Sequence, residues 1–314
     1  MDVLPVLRER LGRQCERSRT PLSCRWQLAD GSERDLVFDP HNHRLKLYRI
    51  AADDLRTPEI RFWKDGLNAA PELYSKLIVY GLPGDEMTWV RQGYVREGII
   101  WRFFADGTDT WIWSAFADNG RDLAPRDGEH EQIVSLAAGK PTVEPSPPEG
   151  FHCRRARGDD AGMVSALLRE VCPDYPTPTD ADTVRAQIET GSNVYRLMFD
   201  GDDRLAAAAS AEIDHARRSA ELTDCATRPR YRGAGLMAYL LRLLERDMVR
   251  DFGITDLYTI ARADEVGMNC VFSKLGWVHT GRLVNNCRMP GGWESMNLWC
   301  RRGASAERGD VARA

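Results

Sequence analysis

A chain of 314 residues, 43% of them hydrophobic, is long enough for two domains and apolar enough to bury a sizeable core. Its formal net charge of −4 excludes a general nucleic-acid binder, though not a local basic patch. No apolar run approaches the roughly 20 residues of a membrane helix, and the charged N-terminus MDVLPVLRERLGRQCERSRT does not read as a secretory signal, so the cytoplasm is expected.

Taken in chain order, residues 1–35 read as a polar, irregular extension, with a helix over Leu4 to Arg17. Residues 36–117 form a first compact unit. The alternation in RLKLYRI marks Arg44 to Ile50 as a strand. A short helix is expected over Leu67 to Tyr74, a strand over Lys76 to Tyr80, and a helix over Gly84 to Gln92 stopped by Gly93. Two strands follow, Tyr94 to Phe104 and Thr110 to Phe116, joined by Ala105-Asp106-Gly107. Their aromatics (Trp101, Phe103, Phe104, Trp111, Trp113 and Phe116) lack the interleaved Lys and Arg of a base-stacking surface and read as core or interface. Residues 118–150 read as a linker: Asn119 to Glu129 is charged and turn-rich, and KPTVEPSPPEG carries four prolines in eleven residues.

Residues 151–302 form a second unit. Asp159 to Val171 is an amphipathic helix, broken by PDYPTP, and Thr179 caps a second helix that runs to Glu189 and ends at Gly191. Strands follow over Asn193 to Phe199 and Arg204 to Ile213. The stretch ELTDCATRPRYRGAGLMAYLLRLLERDMVR then reads as a strand (Glu221 to Thr227), a basic glycine-bearing turn (Arg228 to Gly235) and a helix. On that helix Met237, Leu240, Leu241, Leu244 and Met248 share one face. A strand over Asp256 to Ala261, a helix over Gly267 to Lys274, and strands over Trp277 to Val284 and Trp293 to Cys300 complete the unit. Residues 303–314 read as a disordered tail. Eight scattered cysteines without a C-x-x-C pair suggest neither a zinc site nor a disulfide framework, and no metal is expected.

A strand, a glycine turn and a helix N-terminus together offer unpaired N–H groups, a partial positive charge and close backbone approach to an anion, with Arg228, Arg230 and Arg232 adding charge. Alone, such a turn serves equally as a plain helix entry. Here it follows the third strand, where an antiparallel meander gives way to a strand–helix–strand unit, and ligands bind at such switch points. The fold class expected from this order is α/β (α+β), a mixed, partly parallel sheet flanked by helices.

This order, with the string Arg232-Gly233-Ala234-Gly235-Leu236-Met237, resembles the GNAT superfamily of N-acetyltransferases, whose pyrophosphate motif it matches except at Met237. The strings AEIDHARRSAELTDCAT, YRGAGLM, LYTIARADEVGMN, GRLVNNC and WESMNLW are similar to the beta-lysine N-acetyltransferase subfamily over about residues 211–299. The resemblance implies acetyl-CoA as co-substrate. Asp224, Cys225 and Ala226 would present backbone to the acyl-thioester and pantetheine, residues 232–237 would lie at the pyrophosphate, and Thr227 and Asn269 would be further cofactor contacts. Phe272 stands where many members carry a Tyr that protonates the departing thiolate; Tyr258 or Tyr239 would have to replace it, or water. The resemblance also implies a degenerate GNAT-like half-domain before the catalytic one. The echo of RQGYVREG (91–98) in KLGWVHTG (274–281) agrees, and with no glycine turn in the first unit no cofactor is expected there.

Transfer to an amine needs a base, for which Glu221 is favoured and Asp224 competes. Strand alternation places Glu221, Thr223 and Cys225 on one face and Asp224 on the other. Cys225 has no nearby His to activate it as a nucleophile. Beta-lysine carries two ammonium groups and one carboxylate. Asp224, Asn286 and Glu294 are candidates for the former and Arg262 or Arg282 for the latter; each reads equally as a salt-bridge or turn residue. The function implied is acetylation of the side-chain amine of beta-lysine to the compatible solute N-epsilon-acetyl-beta-lysine. Acetylation of lysine or a polyamine, or a non-catalytic acyl-CoA sensor, stays open. The partner is a small-molecule amine, with a homodimer possible through the aromatic first unit, and neither nucleic acid nor membrane is expected.

Overall fold

The alternation that marks RLKLYRI as a strand recurs along the chain. In a computed structural model, which describes residues 21–28, 30–172 and 179–303, thirteen strands join one sheet. They are β1 (Leu22–Gln27), β2 (Glu33–Asp39), β3 (Arg44–Ile50), β4 (Lys76–Gly81), β5 (Val95–Ile100), β6 (Thr110–Phe116), β7 (His152–Arg155), β8 (Asn193–Phe199), β9 (Leu205–Asp214), β10 (Ser219–Thr227), β11 (Leu257–Arg262), β12 (Val278–Met289) and β13 (Gly292–Arg301). The helices are α1 (Pro58–Ala69), α2 (Glu86–Arg91), α3 (Asp127–Ala138), α4 (Ala161–Val171), α5 (Ala181–Thr190), α6 (Leu236–Phe252) and α7 (Val266–Lys274). Among the described residues no helix is long and apolar enough to cross a membrane.

The strand order is β1-β2-β3-β4-β6-β5-β12-β13-β11-β10-β9-β8-β7. From either outer edge the same pattern is met: antiparallel neighbours, one parallel step (β3 to β4; β10 to β11), then a hairpin whose second strand lies between the parallel strand and its first, so that the first strand reaches the centre of the sheet. The last strand before each parallel step carries a bulge with one left-handed residue, Arg49 (φ 60) in β3 and Asp224 (φ 50) in β10. The halves meet at the register pair Gly98–Gly281, the final glycines of the two echoing octapeptides. A Cβ on Gly98 would lie 2.8 Å from Leu298 Cδ2, and one on Gly281 would overlap Glu97 O and Gly98 Cα.

A buried ionic cluster fastens this join. Lys76, 0% exposed, donates from Nζ to Glu97 Oε1 (2.9 Å) and to Val284 O (2.7 Å). Val284 N donates to Glu97 Oε1 (2.7 Å) and Ser114 Oγ to Oε2 (2.6 Å). Burial lowers the Lys76 ammonium to about 8 in spite of Glu97. Apolar contacts cross the same join, with Tyr48, Tyr80, Phe103 and Ile112 clustering with Leu283, Met296 and Leu298.

On the C-terminal half the alanine run of β9 (Ala206, Ala207, Ala209, Ala211) lets α6 seat Leu240, Leu241, Leu244 and Met248 in the core. On the other side α4 and α5 bring Val164, Leu167, Leu168 and Val184 against Tyr195, Leu197 and Ala208.

Several expectations are corrected. β1 and β2 belong to the sheet although residues 1–35 read as an extension; β1 (LSCRWQ) is a short, mostly exposed edge whose alternation packs Leu22 and Trp26 against the core. The first helix starts earlier than Leu67, because Thr57 caps it (Ile60 N donates to Thr57 Oγ1, 3.5 Å) and Pro58 occupies its first turn. The stretch read as linker contains α3. That helix buries little, chiefly His130 and Ala137, and is held by Ser273 Oγ donating to Ala137 O (2.7 Å). Asp180 rather than Thr179 caps α5. The helix expected over Leu4 to Arg17, the segment PDYPTP and residues 304–314 lie outside the described residues.

Because the backbone atoms facing Gly281 cannot yield, Gly281→Ala is expected to cost about 1–3 kcal/mol of stability through overpacking at the join. Denaturant unfolding measures this, and a variant as stable as the parent would show that the two edges do not meet this closely.

Candidate active site

The site begins where β10 and β11 part. These parallel strands share the register pair Glu221–Tyr258, and Thr259 Oγ1 donates to Leu222 O (2.7 Å). β10 continues to Thr227, but its bulge between Thr223 and Ala226 turns the chain at Asp224. Past Thr227 a short 3-10 turn (Pro229–Tyr231) leads through Gly233 (φ 83) to Gly235 (φ 75), the N-cap of α6. No side chain caps that first turn. Arg232 to Gly235 are exposed, and Arg232 Nε donates to Thr227 O (3.3 Å), tying the loop to the strand. Nothing lies within 4 Å of a Cβ added at either glycine, so glycine is required there by its left-handed backbone and not by crowding. Leu236 and Met237 point into the core, which leaves main-chain N–H groups as what these two positions can offer a phosphate. Open amides, the helix dipole and Arg232 fit a pyrophosphate.

A cavity of about 720 Å³ borders this notch, lined there by Thr223, Asp224 and Tyr258. Its wall comes from both halves. Glu212 and Asp214 of β9, Glu221, Thr223 and Asp224 of β10, Tyr258 and Arg262 of β11 and Asn286 of β12 form one part. Asp39, Arg44, Lys46, Tyr48, Tyr80 and Phe103 form the other. Arg217, in the β9–β10 turn, bridges the halves: its Nη2 donates to Asp35 (2.7 Å), it pairs with Asp214, and its guanidinium lies 3.9 Å from the centre of the Tyr48 ring.

Glu221 and Asp224 both line this cavity, which corrects the expectation that they face opposite ways. The bulge inserts an extra residue and resets the period-two alternation. Asp224 is almost buried, and its Oδ2 accepts from Tyr195 OH (2.6 Å) and Ser210 Oγ (2.8 Å). Glu221 stands directly across from Glu212 in the β9–β10 ladder. Burial, then the Glu212 charge, push the Glu221 carboxyl up to about 8, against the pull of Lys46 and a hydrogen bond from Tyr258. Glu212 is exposed to the open cavity, and desolvation by the surrounding wall and then Asp224 raise it in the same direction. Burial and Glu221 hold the Tyr258 phenol well above its usual range, so Tyr258 keeps its proton and donates a hydrogen bond to Glu221. The Cys225 thiol is raised by burial first and then by Asp224, a thiol and not a thiolate.

The other expected residues are placed as follows. Arg262 lines the cavity, but its guanidinium forks onto Glu294 (2.7 and 2.8 Å). Asn286 is 1% exposed, and its Oδ1 accepts no hydrogen bond in the structure. Arg282 lies outside the cavity, bonded to Asn297 Oδ1 (2.9 Å), Asp127 (2.5 Å) and Glu131 (2.9 Å). Asn269 is fully buried. Its Nδ2 donates to Arg262 O (3.0 Å) and Glu265 O (2.8 Å), and its Oδ1 accepts from Asn297 Nδ2 and Trp299 Nε1, both at 2.9 Å. Those four bonds exhaust its amide and leave it none for a cofactor. Phe272 is buried against Trp277, ring centres 5.2 Å apart. Sequence reasoning passed over Glu212, Tyr195, Ser210, Arg44 and Lys46. The signal for the last two was present in RLKLYRI, where charge alternates with leucine.

Residues 164–277 match the Acetyltransferase (GNAT) family. The chain is 35% identical to a beta-lysine N(6)-acetyltransferase of Methanosarcina mazei over 74% of this chain and 93% of that protein. It is 32% identical to the N-acetyltransferase YodP of Bacillus subtilis over 85% and 94%. A structure of spermidine N-acetyltransferase from Vibrio cholerae in complex with CoA and spermine aligns with a TM-score of 0.43 at 15% identity, covering 49% of this chain and 96% of that one. The chain belongs to the GNAT acetyltransferase family. It is an N-acetyltransferase, with acetyl-CoA as acetyl donor and an amine as acceptor.

A β-branched residue cannot readily adopt the left-handed backbone of Gly235. Gly235→Val is therefore expected to weaken CoA binding by about 10-fold or more through loss of the amide cradle, read by calorimetric titration. Unchanged affinity would show that the phosphates bind elsewhere.

Proposed function

We propose that the acceptor is a small diamino acid, beta-lysine, acetylated on its side-chain amine to N-epsilon-acetyl-beta-lysine, and that Glu221 is the base. The observation that carries this reading is the cavity wall itself. Two carboxylates set directly opposite each other, Glu212 and Glu221, with Asp224 and the unpartnered Asn286 Oδ1 beside them, form a surface that ammonium groups would neutralise. Like charges in register destabilise a sheet, so their presence in a cavity points to a cationic ligand. Cations on the facing wall suit an acceptor that also bears a carboxylate and make a polyamine the poorer fit. The resemblance to beta-lysine acetyltransferases supports the same substrate and, with it, synthesis of a compatible solute.

Acetyl-CoA supplies an activated acetyl group as a thioester. The chain's part is to align that group with the amine, which removes much of the entropic barrier. Main-chain N–H groups of the bulged segment Asp224 to Ala226 would polarise the acetyl carbonyl. Glu221, directly or through a water, would take the proton that the ammonium must lose; as the C–N bond forms the thioester C–S bond breaks, and the departing CoA thiolate would take a proton from water. A carboxyl raised toward 8 is a stronger base than an ordinary glutamate and is better matched to an amine. Asp224, held by Tyr195 and Ser210, would orient the substrate.

The same reading takes the N-terminal half to be a degenerate copy of the catalytic fold. The repeated strand order, the paired bulges at Arg49 and Asp224, and the meeting of the two octapeptide echoes at Gly98–Gly281 support it. After β3 the chain enters α1 through Thr57 and Pro58, without a glycine turn.

The base form of Glu221 accumulates as pH rises through its raised value, so kcat/KM is expected to climb between about pH 6 and about pH 9 with a midpoint near 8. Glu221→Gln should abolish that limb and lower kcat by about 10²–10⁴-fold. A variant with full activity and the parent's pH profile would remove Glu221 from the mechanism.

A further inference from the structure

We infer that Lys46, supplied by the N-terminal half, binds the carboxylate of the acceptor and makes the enzyme select amino acids over plain amines. The inference rests on the reading of the acceptor as a diamino acid.

On β3, Leu45 and Leu47 enter the core of the N-terminal half, whereas Arg44, Lys46 and Tyr48 face the cavity. The cavity's other arginines are already engaged. Arg44 donates to Asp39 from Nε (3.1 Å) and Nη2 (2.5 Å). Arg217 holds Asp35 and Asp214, and Arg262 holds Glu294. Among the described residues Lys46 forms no ion pair, although Glu221, Glu212 and Asp39 all act on it at longer range. A partly buried ammonium with no direct partner is costly unless something binds it. Arg44 beside it and Glu221 and Glu212 across from it make the electrostatic surroundings of a substrate with both signs. An acceptor whose ammonium groups settle against Glu212, Glu221 and Asn286 would bring its carboxylate toward the opposite wall, where Lys46 stands. This assigns the N-terminal half a share in substrate selection although it has no cofactor loop.

The test compares beta-lysine with its carboxamide, which keeps both amines and removes the negative charge. The parent enzyme is expected to favour the acid by about 10–100-fold in kcat/KM, the range of a charged hydrogen bond. In Lys46→Met that preference should fall to near unity, chiefly through KM for the acid, and Lys46→Arg should restore part of it. The same ratios are read as dissociation constants in the presence of CoA, so the test does not depend on turnover, and CoA affinity reports whether the variant is folded. A preference that persists in Lys46→Met, or equal losses on acid and amide, overturns the inference. A parent that acetylates beta-lysine but does not distinguish it from the amide also overturns it and leaves the proposed substrate standing. A parent that rejects beta-lysine but shows a Lys46-dependent acid preference with another diamino acid overturns the substrate and sustains the inference. Acceptance of carboxyl-free amines alone overturns both.

Discussion

The approach of β5 to β12 at Gly98 and Gly281 is the constraint on which the rest of the molecule depends. Strand pairing passes from one half to the other at this point because neither position carries a side chain. The join turns two edges, each a hazard if left open, into the middle of one sheet. Lys76, Glu97 and Ser114 then fasten it from within. With the halves fixed, β3 comes to face β9 and β10 across the cavity, and charges far apart in the chain become the walls of one site.

The division of labour within that site follows from local geometry. The glycine turn before α6 is an exposed, main-chain device suited to a highly charged phosphate group that must be bound and released. The cavity is a side-chain device in which burial controls protonation. Glu221 illustrates the difference: in water it would be a weak base at neutral pH, and partly desolvated beside Glu212 in the cavity wall it is raised toward the range where it can take a proton from an amine. The bulge at Asp224 connects the two devices. It ends regular pairing, brings a second carboxylate into the wall and exposes main chain where an acetyl group would lie.

Much of this was legible in the sequence where the signal is local. The strand Arg44–Ile50 falls where alternation places it, the strands Thr110–Phe116 and Asn193–Phe199 fall at the expected bounds, and the glycine turn proposed for the phosphates is written in consecutive residues, 232–237. The misses have physical causes. A bulge breaks the alternation rule at the residue where the rule was most needed, Asp224. Asn269 resembles the family's cofactor-contacting Asn, but its four internal bonds are made by residues as far away as Trp299. Strand β1 has an apolar face of only three residues, Leu22, Cys24 and Trp26, within a polar stretch, and α3 has only a thin one. The pairing of Glu212 with Glu221 and the presence of Lys46 in their cavity depend on register and on the join of the halves, which no single window of sequence contains.

The central claim is that one cavity, walled by both halves, holds the amine acceptor beside Glu221. A crystal structure of the protein with CoA and beta-lysine, a pair that cannot react, tests it most directly. The account predicts CoA phosphates at residues 232–237, the acceptor's side-chain nitrogen next to Glu221, and its remaining groups in contact with β3. Acceptor density in contact with the C-terminal half alone, or lying outside the cavity, would contradict it.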